Sequence, residues 1–138
     1  MKRLSTLLAV FLTFLLSFNA FSYSPKLPEA AVAKKAIIEK NLIKGLETGN
    51  EGVMLDAAYY LGEYKCEGGV IPLMKILNNN DNDGIRIMAA LALAKIGTGK
   101  SLYAVKQNIF FDDSESVRKF CLQFYTAAKE KRQSYTEQ

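Results

Sequence analysis

Apolar residues recur along this chain at helical spacing, and the whole pattern recurs every 32 residues. Val53, Ile85 and Val117 stand 32 apart, and at the same interval Ala57 aligns with Ala89 and Cys121. Ala58, Ala90 and Leu122 follow, then Leu61, Leu93 and Tyr125. Within each copy these positions are spaced to fall on one face of a helix. A second helical segment accompanies the copies, since Val70 aligns with Leu102, Leu73 with Val105 and Leu77 with Ile109. A fixed period with two helices per unit predicts an all-α superhelix, a short solenoid of about three helix pairs.

The punctuation between helices agrees with that plan. Pro25 and Pro28 discourage helix before Glu29, so 23–28 reads as a linker. The spacing predicts a helix over Glu29–Leu46 and another over Val53–Tyr64, separated by Gly45, Gly49 and Gly52. Cys66–Gly69 is a loop, and helix resumes at Val70 with Pro72 in its first turn, where proline is tolerated. The stretch Asp81–Gly97 forms the central helix, opened by an acidic turn and ended at Gly97. Ser101–Phe110 and Ser114–Lys131 make the third pair, with Asp112 or Ser114 as cap of the last helix. The folded domain is expected over 29–131, and 132–138 is expected to be a polar tail.

The first 22 residues follow a different logic. Lys2 and Arg3 precede an uncharged apolar run from Leu4 to Phe18, and small residues follow at Ala20 and Ser22. That order describes a secretory signal peptide cleaved after Ser22, with Ala20 as the second choice. The run is shorter than the ~18–20 residues that span a bilayer, so no membrane span is expected after cleavage. Export changes the charge. The whole chain carries 18 basic and 14 acidic residues, and loss of Lys2 and Arg3 leaves 16 against 14. So small an excess gives no case for nucleic-acid binding.

Candidate chemistry is sparse. There is no histidine, which removes the commonest general base and the commonest zinc ligand. No phosphate-binding loop, nucleophile elbow or metalloprotease motif occurs. No cofactor, metal or catalytic residue is expected, and the chain is expected not to be an enzyme. Asn79-x-Asp81-x-Asp83-Gly84 matches the opening of a calcium loop, but Ile87 and Ala90 stand where later ligands belong. The segment therefore reads as an Asn/Asp-rich turn. Cys66 and Cys121 lie two repeats apart. With helices spaced ~8–10 Å, they exceed the ~7 Å Cα limit of a disulfide. Cys66 is expected to be free or to pair with another molecule.

Asp113-Ser114-Glu115-Ser116-Val117-Arg118 resembles the acid-turn-Val-Arg signature of HEAT repeats. Asp81-Asn82-Asp83-Gly84-Ile85-Arg86, with the Ala-rich helix after it, is similar to the short HEAT-like units of bacterial proteins and phycobilin lyases. The resemblance covers about Val53 to Tyr125. It implies a structural ladder in which Asp81 pairs with Arg86 or reaches Arg118, and Asp113 does likewise. The first unit has Gly49 and Met54 at those positions, so no rung is expected there.

Such solenoids present helical surfaces suited to proteins. The second helices are expected to line the inner face and carry the binding surface. Tyr60 and Tyr64 share a helix face and are candidate partner anchors, although tyrosines so placed commonly sit at a core edge. Lys40 and Lys44 form a candidate basic patch on the first helix, or simply its solvated side. The expected function is an exported, non-enzymatic scaffold that binds a protein partner in the periplasm or outside the cell. Two other readings are a lyase-like or chaperone-like factor acting on a cofactor-bearing protein, and a membrane-tethered subunit of an envelope complex.

Overall fold

The computed structural model describes residues 29–134. The expected leader, its expected cleavage point and the expected 23–28 linker lie outside the described residues. Six α-helices follow one another: α1 Glu29–Leu46, α2 Glu51–Glu63, α3 Val70–Asn79, α4 Asp83–Ile96, α5 Gly99–Phe111 and α6 Glu115–Ser134. A 3₁₀ turn, Glu67–Gly69, leads into α3. No strand occurs among the described residues. Residues 33–134 fall within one compact unit. The last helix runs on to Ser134, so Arg132 is helical rather than part of a tail.

The second helices α2, α4 and α6 lie side by side, with α4 in the middle. On the other layer α3 packs on α5, and both pack on α4. The fold is a short helical solenoid. Leu61, Leu73, Leu77, Leu93, Val105 and Val117 fill the space between the layers and are fully buried.

Each second helix starts in the same way. Asn50 caps α2 by accepting from the Val53 N–H at 3.1 Å. Asn82 caps α4 by accepting from the Gly84 N–H at 2.8 Å. Ser114, a further 32 residues on, accepts more weakly from Val117 N–H at 3.5 Å. The cap's own N–H is received in every copy by the side chain two residues before it: Thr48 at 3.3 Å, Asn80 at 2.9 Å and Asp112 at 2.9 Å. Short polar side chains bond local backbone this way and hold the chain out of helix until the cap. Most of the Asn/Asp run at 79–83 is therefore committed to turn and cap geometry.

Small residues let the second helices approach. A Cβ built on Gly62 would lie 2.8 Å from the Cα of Ala92, closer than real Cβ contacts come. Gly62→Val should therefore push α2 off α4 and cost about 1–3 kcal/mol, read as a lower urea midpoint with an unchanged slope.

The repeat positions are not equally buried. Ile85 and Val117 are buried, yet Val53 is 44% exposed. Ala58 and Ala90 are buried, yet Leu122 is 53% exposed. The reason is position in the stack. The first set faces the preceding second helix and the other set faces the following one. Among the described residues nothing precedes α2 or follows α6 in that layer.

Candidate partner-binding surface

The polar centre of the molecule is the junction between the second and third repeats. Arg86, in the first turn of α4, is buried. Its Nη2 lies 2.8 Å from Asp83, 3.2 Å from Asp112 and 3.1 Å from Asp113. Its Nη1 donates to the carbonyl of Asn80 at 3.3 Å. Asp83 in turn accepts from the hydroxyl of Ser114, the cap of α6. The acid that pairs with Arg86 from its own repeat is thus Asp83, not Asp81. Asp81 stands before the cap residue Asn82, outside the helix, whereas Asp83 is one turn before Arg86 on the same helix. Asp113 does reach Arg86, from the next repeat.

The first junction carries a contact of a different kind, without an arginine. Asn82 donates from Nδ2 to Glu51 at 3.1 Å. Glu51 and Asp83 stand 32 apart, as do Asn82 and Ser114. At both junctions, then, the cap side chain of one repeat bonds the acid that follows the cap of the repeat before. Met54, at the arginine position, is buried and fills its place with an apolar side chain.

Charges at this centre pull in opposite directions. Burial raises the Asp112 carboxyl above the usual carboxylate range, against the pull of Arg86. The Arg86 guanidinium holds exposed Asp113 below that range. Arg118 makes no such cluster. Its Nη1 donates to the carbonyls of Asp112 at 2.6 Å and Asp113 at 3.1 Å, closing the loop before α6. Arg118→Ala should cost about 1–2 kcal/mol in thermal or denaturant unfolding and leave partner binding intact in the folded fraction.

The second helices frame an open groove of about 560 Å³. Leu91 and Ala94 of α4 and Phe124 and Ala127 of α6 form an apolar floor. The rim is charged: Lys65, Lys95, Lys131 and Arg132 line it, with Glu63 as its one acid. Glu63 and Lys95 are equivalent positions of neighbouring repeats, and they form an ion pair. That hydrogen bond from Lys95 holds the Glu63 carboxyl below its ordinary range. The Lys95 ammonium also stands 4.9 Å from the ring centre of Tyr59, within cation–π range. Among the described residues, Lys65, Lys131 and Arg132 have no acidic partner.

Lys65 holds a backbone conformation usually left to glycine. Its φ is +48°. Gly97, 32 residues later and at the same point of the next repeat, has φ +73° and also lines the groove. A side chain in the left-handed region costs about 1–2 kcal/mol. The first repeat carries that cost at the groove rim, where the second uses glycine.

Tyr60 and Tyr64 lie elsewhere. Their rings stack with centroids 5.8 Å apart, and both are about half exposed. Their repeat equivalents are Ala92 and Ile96, which are buried. The tyrosines therefore occupy the face that α4 turns toward α2, and sit on the open end of the stack. Lys40 and Lys44 are exposed on α1. None of these four lines the groove. The groove residues were missed because a helix-by-helix reading treats Lys65, Lys95 and Lys131 as separate surface cations. Comparing positions 32 apart in the second helices, as Glu63 and Lys95 invite, is the signal that groups them.

Both cysteines are free and buried. Burial pushes the Cys121 thiol up to about 12 and raises that of Cys66 as well. Cys66 is 1% exposed, because the 3₁₀ turn after it folds back and Glu39 of α1 receives the Gly68 N–H at 2.6 Å. This leaves no accessible sulfur for pairing with another molecule.

The family profile of HEAT repeats matches residues 39–123, most of the described chain. The chain belongs to the HEAT-repeat family. Among solved structures, that of human deoxyhypusine hydroxylase in complex with glycerol is similar, with a TM-score of 0.58 and 27% identity. The match covers 64% of this chain and 32% of that one, so this HEAT-repeat chain aligns with about a third of the enzyme. No curated protein matches. Among the described residues no helix is long and apolar enough to cross a membrane, and no group of three or more His, Cys, Asp or Glu is placed to hold a metal.

Proposed function

We propose that this HEAT-repeat protein is an exported, non-enzymatic scaffold that holds a protein partner on the inner surface of its second helices. The observation that carries the reading is the groove shared by α2, α4 and α6, with apolar side chains on its floor and charges on its rim. Pockets built to hold small molecules enclose them and converge several polar groups on them. This groove is open and its polar groups stand at its edges, as at a protein interface. Solenoids stack helices into extended surfaces of this kind.

Three further observations support the non-enzymatic part. The chain has no histidine, and the one buried carboxylate near its centre, Asp112, is engaged by Arg86. Neither thiol ionises near neutral pH, so neither is poised as a nucleophile. Export rests on the basic start and apolar run of residues 2–18.

The test is recovery of the full chain, tagged at its C-terminus, from fractionated cells. The expected result is a mature N-terminus at Tyr23 in an extracytoplasmic fraction, with one protein co-purifying in stoichiometric amount. A chain that stays in the cytoplasm overturns the export reading. A chain recovered alone under mild crosslinking overturns the scaffold reading.

A further inference from the structure

The scaffold reading leaves the chemistry of the partner open, and the rim of the groove narrows it. Five charged residues line the groove, four of them basic. The one acid, Glu63, is already paired with Lys95. Three cations thus face an apolar floor with no acidic partner among the described residues, while the chain as a whole is close to charge balance once its leader is set aside. Basic residues near helix C-termini are favoured by the helix dipole, which accounts for Lys95, Lys131 and Arg132. Lys65, just past the C-cap of α2, gains the same attraction but holds a left-handed conformation that opposes it. Gly97 ends the equivalent helix in the same left-handed conformation without a side chain. Lysine at position 65 is the less stable choice for the turn, and what it adds is a cation at the rim.

We infer that the groove takes an acidic amphipathic segment of a protein partner, laid across α2, α4 and α6 as a short helix. The apolar face of the segment meets Leu91 and Phe124, and its Asp or Glu side chains meet Lys65, Lys131 and Arg132. The dimensions agree. Three adjacent helices span two interaxial distances, ~16–20 Å, and a helix of about 12 residues is ~18 Å long. Helix-in-groove recognition supplies its anchors at i, i+3, i+4 and i+7. This inference rests on the scaffold reading and specifies its partner.

The experiment is selection of a random 12-residue peptide library on the immobilised full chain at low salt. Affinities of the selected peptides are then measured by fluorescence anisotropy. The expected peptides carry Asp or Glu beside Leu, Ile or Phe at helical spacing. Lys131→Glu with Arg132→Glu should weaken them more than 10-fold, and raising the salt should weaken them too. Lys65→Gly separates binding from folding. It should weaken binding about 3-fold while melting temperature holds or rises by about 4 °C, since glycine relieves the left-handed strain. Selected peptides without an acidic excess, peptides indifferent to these variants, or no selection above background would each overturn the inference. So would binding of the full chain to anionic phosphatidylglycerol vesicles, lost in the same variants, with no peptide competing. If peptides fail but a partner still co-purifies, the scaffold reading stands and this specification falls. If peptides bind as expected but no partner co-purifies, the groove's preference for an acidic amphipathic segment stands and the scaffold role in cells falls.

Discussion

Ala89→Asp should yield no folded protein at 25 °C. Ala89 is 0% exposed, near the middle of α4, the helix that packs on four others. A carboxylate there has no partner and no route to water. Burying an uncompensated charge costs far more than burying an unpaired neutral polar group, and even that costs several kcal/mol. The added volume also forces apart a seam built for methyl groups. A domain of this size has a total stability of only ~5–15 kcal/mol, so the substitution consumes most or all of it. Far-UV circular dichroism without a cooperative melt, together with rapid proteolysis, is the expected readout. The control is Leu122→Asp. Position 122 is the repeat equivalent of buried Ala90, but its side chain is exposed at the end of the stack, so this change should shift stability by less than about 0.5 kcal/mol.

Arg86→Ala should be the most damaging polar substitution. It leaves Asp112, with a side chain only 4% exposed, beside Asp83 and Asp113 with no cation among them. Breaking a buried pair by removing one partner typically costs ~3–5 kcal/mol. Arg86→Lys should recover only part of this, because one ammonium cannot reach three carboxylates and the Asn80 carbonyl as a planar fork does. The loss should depend on pH in a defined direction. Burial raises Asp112 in the folded state, and removing the arginine removes a pull that lowers it. A carboxyl raised on folding stabilises the fold when protonated, and that help fades as pH rises through its folded pKa. Asp113, lowered by Arg86 in the intact protein, loses the stability it contributes as pH falls through its folded pKa. Both effects narrow the gap between intact protein and variant in acid. Denaturant unfolding at pH 7 and pH 4 should show the larger difference at pH 7.

Much of the fold is legible in the sequence because one physical constraint repeats. A solenoid buries each apolar stripe only against its neighbours, so Ala57, Ala89 and Cys121 must all be apolar and all are buried. The ends are where that logic stops. Val53, Tyr60 and Leu122 satisfy the pattern yet are exposed, because the pattern records the position in a repeat and not whether a neighbour exists. The ladder was legible in kind but not in register. A run such as Asn80-Asp81-Asn82-Asp83 offers several acids and caps within one turn, and only backbone geometry decides that Asn82 caps, Asp83 pairs and Asp81 does neither. The groove was the least legible part. Its rim combines Glu63, Lys95 and Lys131 from three helices with Lys65 from the turn after α2, and no local spacing marks them as neighbours.

The most direct test of the account is site-specific photocrosslinking in cells producing the full chain. A benzophenone side chain is placed at Phe124 on the groove floor, and in a separate variant at Tyr103, which is 61% exposed on the first-helix layer. The account predicts one discrete protein adduct from position 124 and none from position 103. No adduct from 124, or the same adduct from 103, would contradict the claim that the inner surface of the second helices holds a partner.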